Sequence, residues 1–519
     1  MRPSTLVRLS LAGNRTDRLR TVLTAASGSL ASLALLSAAT VAAIRGGDFV
    51  PVPGQPEGVF VRASGSEQYA SDYLVEAGLR PGVIFALVML ALPVLALAGQ
   101  CIRLGAPARD RRLAAIRLAG ATPRQAVLIA GAETAAASLL GSAIGFGVYL
   151  VLRVLLDRHT PDGRLVLPTD VLPNPLVILL VLLTVPLLAG AIGILLMRRV
   201  MITPLGVVRR LRERGPRPWP GVLIALGILL FAIPSMHLTR PHWLSRVTLP
   251  HWTPYGVMGT GVFLVMIGVV LGVGWISYTV GRLLRRYGRG PSTLLAGARL
   301  MADPWNGSRT LGALLAAVVF GAGTLGFRAD FLAEAAADER YNALQADGTG
   351  VGFGADPDFY LNGIRLVMLA ITLSVLVAAA GVLVAFVEGI VARRRTYAAM
   401  TASGVPRRTL AGVMFWHTFI PLIPALLLAL AAGVSLIRTV RTTIQVGGDF
   451  EACLDPEATD IATCVKTTVI QPLVLLKIPI PFGELALLGG GALLAMLLVV
   501  SVGLLVLRTS TELEELRTG

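Results

Sequence analysis

The sequence predicts an all-α integral membrane protein whose ten transmembrane helices form two parallel repeats of one plus three helices, with an extra helix pair between them. Three observations carry this. Of 519 residues, 55% are hydrophobic and only 15% charged, and the mean hydropathy is +0.73, outside the balance of a soluble globular domain. Apolar stretches long enough to cross a hydrocarbon layer of about 30 Å, roughly 20 helical residues each, recur along the chain. One basic segment, flanked each time by such stretches, occurs twice, 284 residues apart.

The apolar stretches run over 21–44, 82–102, 126–152, 174–197, 219–236, 255–281, 310–327, 364–391, 410–437 and 483–507, the fifth and seventh being the shortest. The first follows Arg18 and Arg20 but exceeds the roughly 7 to 15 residues of a signal-peptide core, so it reads as an uncleaved anchor. Lys and Arg are retained on the cytoplasmic side during insertion. Placing 1–20, 103–124, 198–218, 282–309, 392–408 and 508–519 there collects 31 basic and 7 acidic residues. The opposite side has 15 basic and 21 acidic residues, with Glu133 and Glu388 left inside helices. Both termini are then cytoplasmic, and the net charge of +16 reports membrane sidedness rather than nucleic-acid binding.

The duplicated segment spans 108–124 and 392–408. Arg109 aligns with Arg393, Arg111 with Arg395, Ala114 and Ala115 with Ala398 and Ala399, Gly120 with Gly404, and Arg124 with Arg408. Each copy has a cationic start, an apolar face (Leu113 and Ile116; Tyr397 and Met400) and a Gly followed by Pro123 or Pro406, the signature of a helix stop and restart. Matching lead-ins precede each repeat: Arg8-Leu9 and Arg299-Leu300, then Arg20-Thr21 and Arg309-Thr310. The chain divides into a first repeat (1–210), a linker pair (211–290) and a second repeat (291–519). An even number of crossings precedes the second repeat, so the repeats run parallel about an axis along the membrane normal.

The outer loops, 45–81, 328–362 and 438–478, are too short for a large independent domain. Glu67–Arg80 reads as a short helix running into the membrane, and Arg328–Arg340 as a helical run. Cys453 and Cys464 share an outer loop; an oxidising exterior favours a disulfide, with two free thiols the alternative.

Both basic segments, their lead-ins, and the endings around Val208-Arg209 and Leu516-Arg517 resemble the FtsX/MacB-type (type VII) permeases of ABC transporters. The likeness is closest to the ten-helix bacitracin-export, BceB-like branch, without its large extracellular domain. The resemblance implies that Arg109, Arg111, Arg112, Leu113, Ile116, Arg117, Gly120, Pro123 and Arg124, with Arg393, Arg395, Tyr397, Met400, Gly404, Pro406 and Arg408, form two coupling elements. These would fit grooves on two copies of a cytoplasmic ABC ATPase. Arg112 and Thr396 stand where the family often has an acidic residue, and Arg117 is replaced by Thr401 in the second copy.

No Gly-x-x-x-x-Gly-Lys-[Ser/Thr] loop is present, so the chain is not expected to be an enzyme; ATP and Mg would be bound by the partner ATPase, with no cofactor in this chain. His159, His237, His242, His251 and His417 lack ligand spacing, and no metal site is expected. An ionised group within a span needs a partner, so Glu133 is expected to bond to a neighbouring helix; its counterpart is His417, and Glu388 reads as interfacial. Gly141-x-x-x-Gly145 reads as a helix-packing motif. The resemblance implies a permease in the bacterial cell membrane, exporting or extracting an amphipathic or hydrophobic substrate such as an antimicrobial peptide, lipid or drug. The alternative is a mechanotransmitting subunit that drives an extracellular hydrolase or a sensor kinase without moving cargo. Membrane lipids, and an extracellular protein or peptide, are the other partners expected.

Overall fold

A computed structural model describes residues 15–47, 49–51, 60–62, 66–101, 118, 120–198, 215–234, 253–344, 357–453, 466–469 and 471–509. Thirteen helices are described: α1 (Arg15–Ala43), α2 (Asp72–Val75), α3 (Arg80–Cys101), α4 (Pro123–Leu155), α5 (Pro175–Arg198), α6 (Pro220–Ala232), α7 (Thr253–Tyr287), α8 (Pro291–Ala302), α9 (Trp305–Leu344), α10 (Pro357–Ala392), α11 (Arg394–Ala402), α12 (Arg407–Arg438) and α13 (Phe482–Thr509). Eight are long and apolar enough to cross a membrane; the apolar segments Pro175–Ala191 of α5 and Pro220–Ala232 of α6 are shorter. The chain is a multi-pass membrane protein.

The all-α expectation is corrected by three two-stranded antiparallel ribbons: β1 (Phe49–Pro51) with β2 (Phe60–Arg62), β3 (Thr443–Gly447) with β6 (Leu473–Lys477), and β4 (Phe450–Cys453) with β5 (Lys466–Val469). In β3 and β6 alternate residues face inward, Ile444 and Val474 being buried, a period of two that separates strand from helix. The seventh apolar stretch also proves to be the longest helix. α9 continues well beyond residue 327 because its C-terminal half lays Ala329, Ala333 and Ala337 against Ile444 and Val474 of the ribbon and Ile478 just after it. The helix expected over Glu67–Arg80 is instead the four-residue α2, with α3 starting separately at Arg80.

Helices α1, α3, α4 and α5 pair as α1 with α4, α3 and α5, α4 with α5, and α3 with α5; α9, α10, α12 and α13 repeat these five pairings in the same order. The two sets meet where α3 packs on α10 and α9, while α6 and α7 pack on each other and on the second set. Small residues set the closest approach. A Cβ on Gly141 or Gly145 would collide with the carbonyls of Ala25 or Ser29 in α1, and one on Gly433 with that of Val319 in α9. This seam also carries hydroxyl bonds, Ser32 to Ser142 at 3.0 Å and Thr40 to Tyr149 at 2.7 Å.

Candidate functional site: the inner coupling elements

α11 is a nine-residue helix with two faces. Tyr397 and Ala398 are buried, whereas Thr396, Ala399 and Met400 face outward. It stops at Gly404, whose φ of +91° is reached at little cost only by glycine. The Gly404 N–H donates to the Thr401 carbonyl (3.1 Å) and the Val405 N–H to that of Met400 (3.0 Å), the two bonds of a Schellman cap. Val405 turns back onto the apolar cluster of Ile390, Tyr397, Leu410 and Met414. Pro406 then sits at the N-cap of α12, which restarts at Arg407.

The first copy ends in the same way. Gly120 has a φ of +97°, and α4 starts at Pro123, 284 residues before Arg407. Here Thr122 caps the helix, its hydroxyl accepting from the Gln125 N–H (3.3 Å) while the Gln125 side chain accepts from the Thr122 N–H (3.0 Å). Arg109, Arg111, Arg112, Leu113, Ile116 and Arg117 lie outside the described residues, as does Cys464; Cys453 is placed in β4 by its backbone alone, so the disulfide expectation falls outside them too. The side chains of Pro123 and Arg395 are likewise not described; Arg124, Arg393 and Arg408 are exposed.

Tyr397 does not face outward with Met400. Its hydroxyl accepts a 2.6 Å hydrogen bond from Arg299 of α8, whose guanidinium also lies 5.5 Å from the ring centroid. α8 is itself pressed on α7, where Gly297 and Gly281 approach closely, and it leads into α9 through Asp303, which accepts from Arg309 at 2.6 Å. α11 is therefore fastened, through the Tyr397–Arg299 contact, to the element that leads into α9. His417, further along α12, stands in the field of Arg299, Arg393 and Asp303.

In the first half, the counterpart of His417 makes a different contact. Glu133 of α4 is ion-paired with Arg20 of α1, and both side chains are almost fully covered (12% and 6% exposed). Glu388 is partly buried near the C-terminal end of α10. Sequence reading named Arg20 and Arg299 as basic residues of the lead-ins, and Glu133 and Tyr397 separately, but did not pair them. Among the described residues, no three His, Cys, Asp or Glu side chains gather as a metal would require.

The opposite ends of the two sets are tied as well. In the first half Arg80 is buried and donates to the carbonyls of Leu74 (2.7 Å), Ile44 (3.0 Å) and Val75 (3.0 Å), and the Tyr69 hydroxyl donates to Asp170 (2.9 Å). Burial, then Asp170, pushes the Tyr69 phenol up to about 12. In the second half Arg441 holds both oxygens of Asp330 at 2.8 Å and also pairs with Glu334 on α9, while Arg328 pairs with Glu484 of α13.

The family model for the FtsX-like permease C-terminal region matches residues 83–205 and 368–512, together just over half of the chain. The first match covers almost all of α3 together with α4 and α5, and the second most of α10 together with α11 to α13. No curated protein matches the sequence.

Proposed function

This chain belongs to the FtsX-like permease family, and on that premise we propose that it is the membrane subunit of an ABC transporter, driven by two copies of a separate cytoplasmic ATPase. The observation that carries the reading is the pair of left-handed glycines, Gly120 and Gly404, each ending a basic segment and followed by a helix that starts at an equivalent residue. Two such elements on one face suit a duplicated partner. ATP and Mg belong to that partner, and this chain contributes binding and motion rather than hydrolysis.

The ten-crossing, two-repeat layout, with units at 1–210, 211–290 and 291–519, is supported by the five shared helix pairings. The BceB-like branch is the one this layout fits best. The excess of basic residues on one side supports a bacterial cytoplasmic membrane location with both termini inside. A substrate would be amphipathic or hydrophobic, an antimicrobial peptide, lipid or drug, exported or extracted from the outer leaflet. A Cys453–Cys464 disulfide would staple the outer loop; alkylation without reductant that modifies both thiols would refute it.

A second reading, motion passed to an extracellular hydrolase or sensor kinase without cargo, is favoured by α9. It is one unbroken helix from Trp305 at the α8 contact to Leu344 beyond the ribbon.

Purification in mild detergent tests the proposal. A Walker-motif ATPase should be recovered at two copies per permease, and the Gly120→Val/Gly404→Val double variant should lose stimulated ATP turnover. A Cβ at either glycine meets nothing within 4 Å, so that loss would report the backbone conformation and not a clash. Recovery of the permease alone under several mild conditions would overturn it.

A further inference from the structure

A cavity of about 370 Å³ lies between α3, α7, α9 and α10, with Met89, Pro93, Phe263, Ile267 and Ala316 in its walls. Ser374 is the one polar side chain among its described liners, and its hydroxyl donates to the Ala370 carbonyl at 2.8 Å. A buried water needs two to four polar partners, and these walls offer a single hydroxyl whose proton is already committed. Left empty, the lining atoms would lose dispersion contacts on one side. The occupant is therefore apolar.

Depth in the bilayer identifies it. The liners fall in the middle parts of the spans Arg80–Cys101, Thr253–Tyr287 and Leu361–Val391. Ile267 is 48% exposed, so the cavity opens sideways at that level, where the surroundings are hydrocarbon tails. We infer that the cavity holds one acyl chain of a membrane phospholipid, inserted into the seam between the two helix sets. α3 comes from the first set, α9 and α10 from the second, and α7 from the extra pair, so among the described residues the site is one-sided. A chain there lets α3 move against α9 and α10 without opening a void. The inference rests on membrane placement alone and stands or falls separately from ATPase coupling.

The test uses the full chain in phosphatidylethanolamine/phosphatidylglycerol nanodiscs, doped with phospholipid carrying a diazirine either at mid-chain or on the headgroup. After irradiation, the mid-chain probe should label residues 89–96 and 263–271 more heavily than the outward-facing Leu179, Leu180 and Leu183 of α5, and the headgroup probe should label neither region. Ala316→Phe, which fills the cavity, should abolish labelling of 263–271 and leave that of α5 unchanged. Labelling of the cavity walls no heavier than that of α5, or unchanged in an Ala316→Phe protein that melts like the wild type, would overturn the inference. If Ala316→Phe does not fold, the wild-type comparison of the two probes decides alone.

Discussion

The two helix sets use the same five pairings but place their ion pairs differently among the described residues. In the first, the Arg20–Glu133 pair locks α1 to α4 at one end, and the opposite end is closed without an arginine–carboxylate pair, by Arg80 on three carbonyls and the Tyr69 hydroxyl on Asp170. In the second, the position of Glu133 is held by His417, and ion pairs gather at the outer end around Arg441 and Arg328. The end of that half nearest α11 carries the phenol–guanidinium contact of Tyr397 with Arg299 and the more exposed Arg309–Asp303 pair. A buried ion pair resists separation because each partner left alone is a desolvated charge. The difference teaches where each half is braced: the first by a covered ion pair between α1 and α4, the second by a phenol–guanidinium contact between α11 and α8.

The largest effect expected is at that brace. Glu133→Ala should cost about 3 kcal/mol by leaving Arg20 buried and uncompensated, read as unfolding in detergent, and adding Arg20→Ala should recover part of the loss. His417→Ala, at the equivalent site, should cost clearly less. Equal losses would erase the contrast between the halves.

Next, Asp330→Ala removes the two-oxygen grip on Arg441 and should cost about 2 kcal/mol. Hydrogen exchange should speed up at 441–447 and 473–478 and stay unchanged in the inner half of α9. At the inner contact, Tyr397→Phe keeps the ring but loses the 2.6 Å bond, about 1 kcal/mol. The complex should still assemble, with ATP turnover no longer responding to substrate. Met400→Ala, on the outward face, should instead weaken assembly. The smallest effect at neutral pH belongs to Tyr69. Its pKa is raised in the folded state, to about 12 from 10, so the stability it contributes is complete below pH 10 and lost as pH rises towards 12. Tyr69→Phe should abolish that alkaline loosening of the first half's outer end while the ribbon of the second half is unaffected.

Much of this was legible in the sequence. Hydropathy placed the long spans, and the alignment of Gly120 with Gly404 anticipated two glycines of matching φ, because a helix that stops and restarts leaves a local signature. The helical run Arg328–Arg340 was read, but not its continuity with the seventh span, since Ala329, Ala333 and Ala337 are buried against a ribbon that forms from residues more than 100 positions away. β3 and β6 were read as loop because each is five residues long, with its pairing partner across 25 residues of intervening chain. Tyr397 was grouped with Met400 on periodicity, yet Tyr397 is buried against Arg299 while Met400 stays exposed. Contacts distant in sequence decided each of these.

Site-specific photocrosslinking from within the coupling elements tests the central claim most directly. A photoreactive residue at Met400 or Ile116 should capture the same ATPase, and one at Tyr397 should capture only the permease's own α8. Capture of no ATPase from either Met400 or Ile116, in membranes where the outward-facing Leu475 of the ribbon captures a partner, would contradict the account.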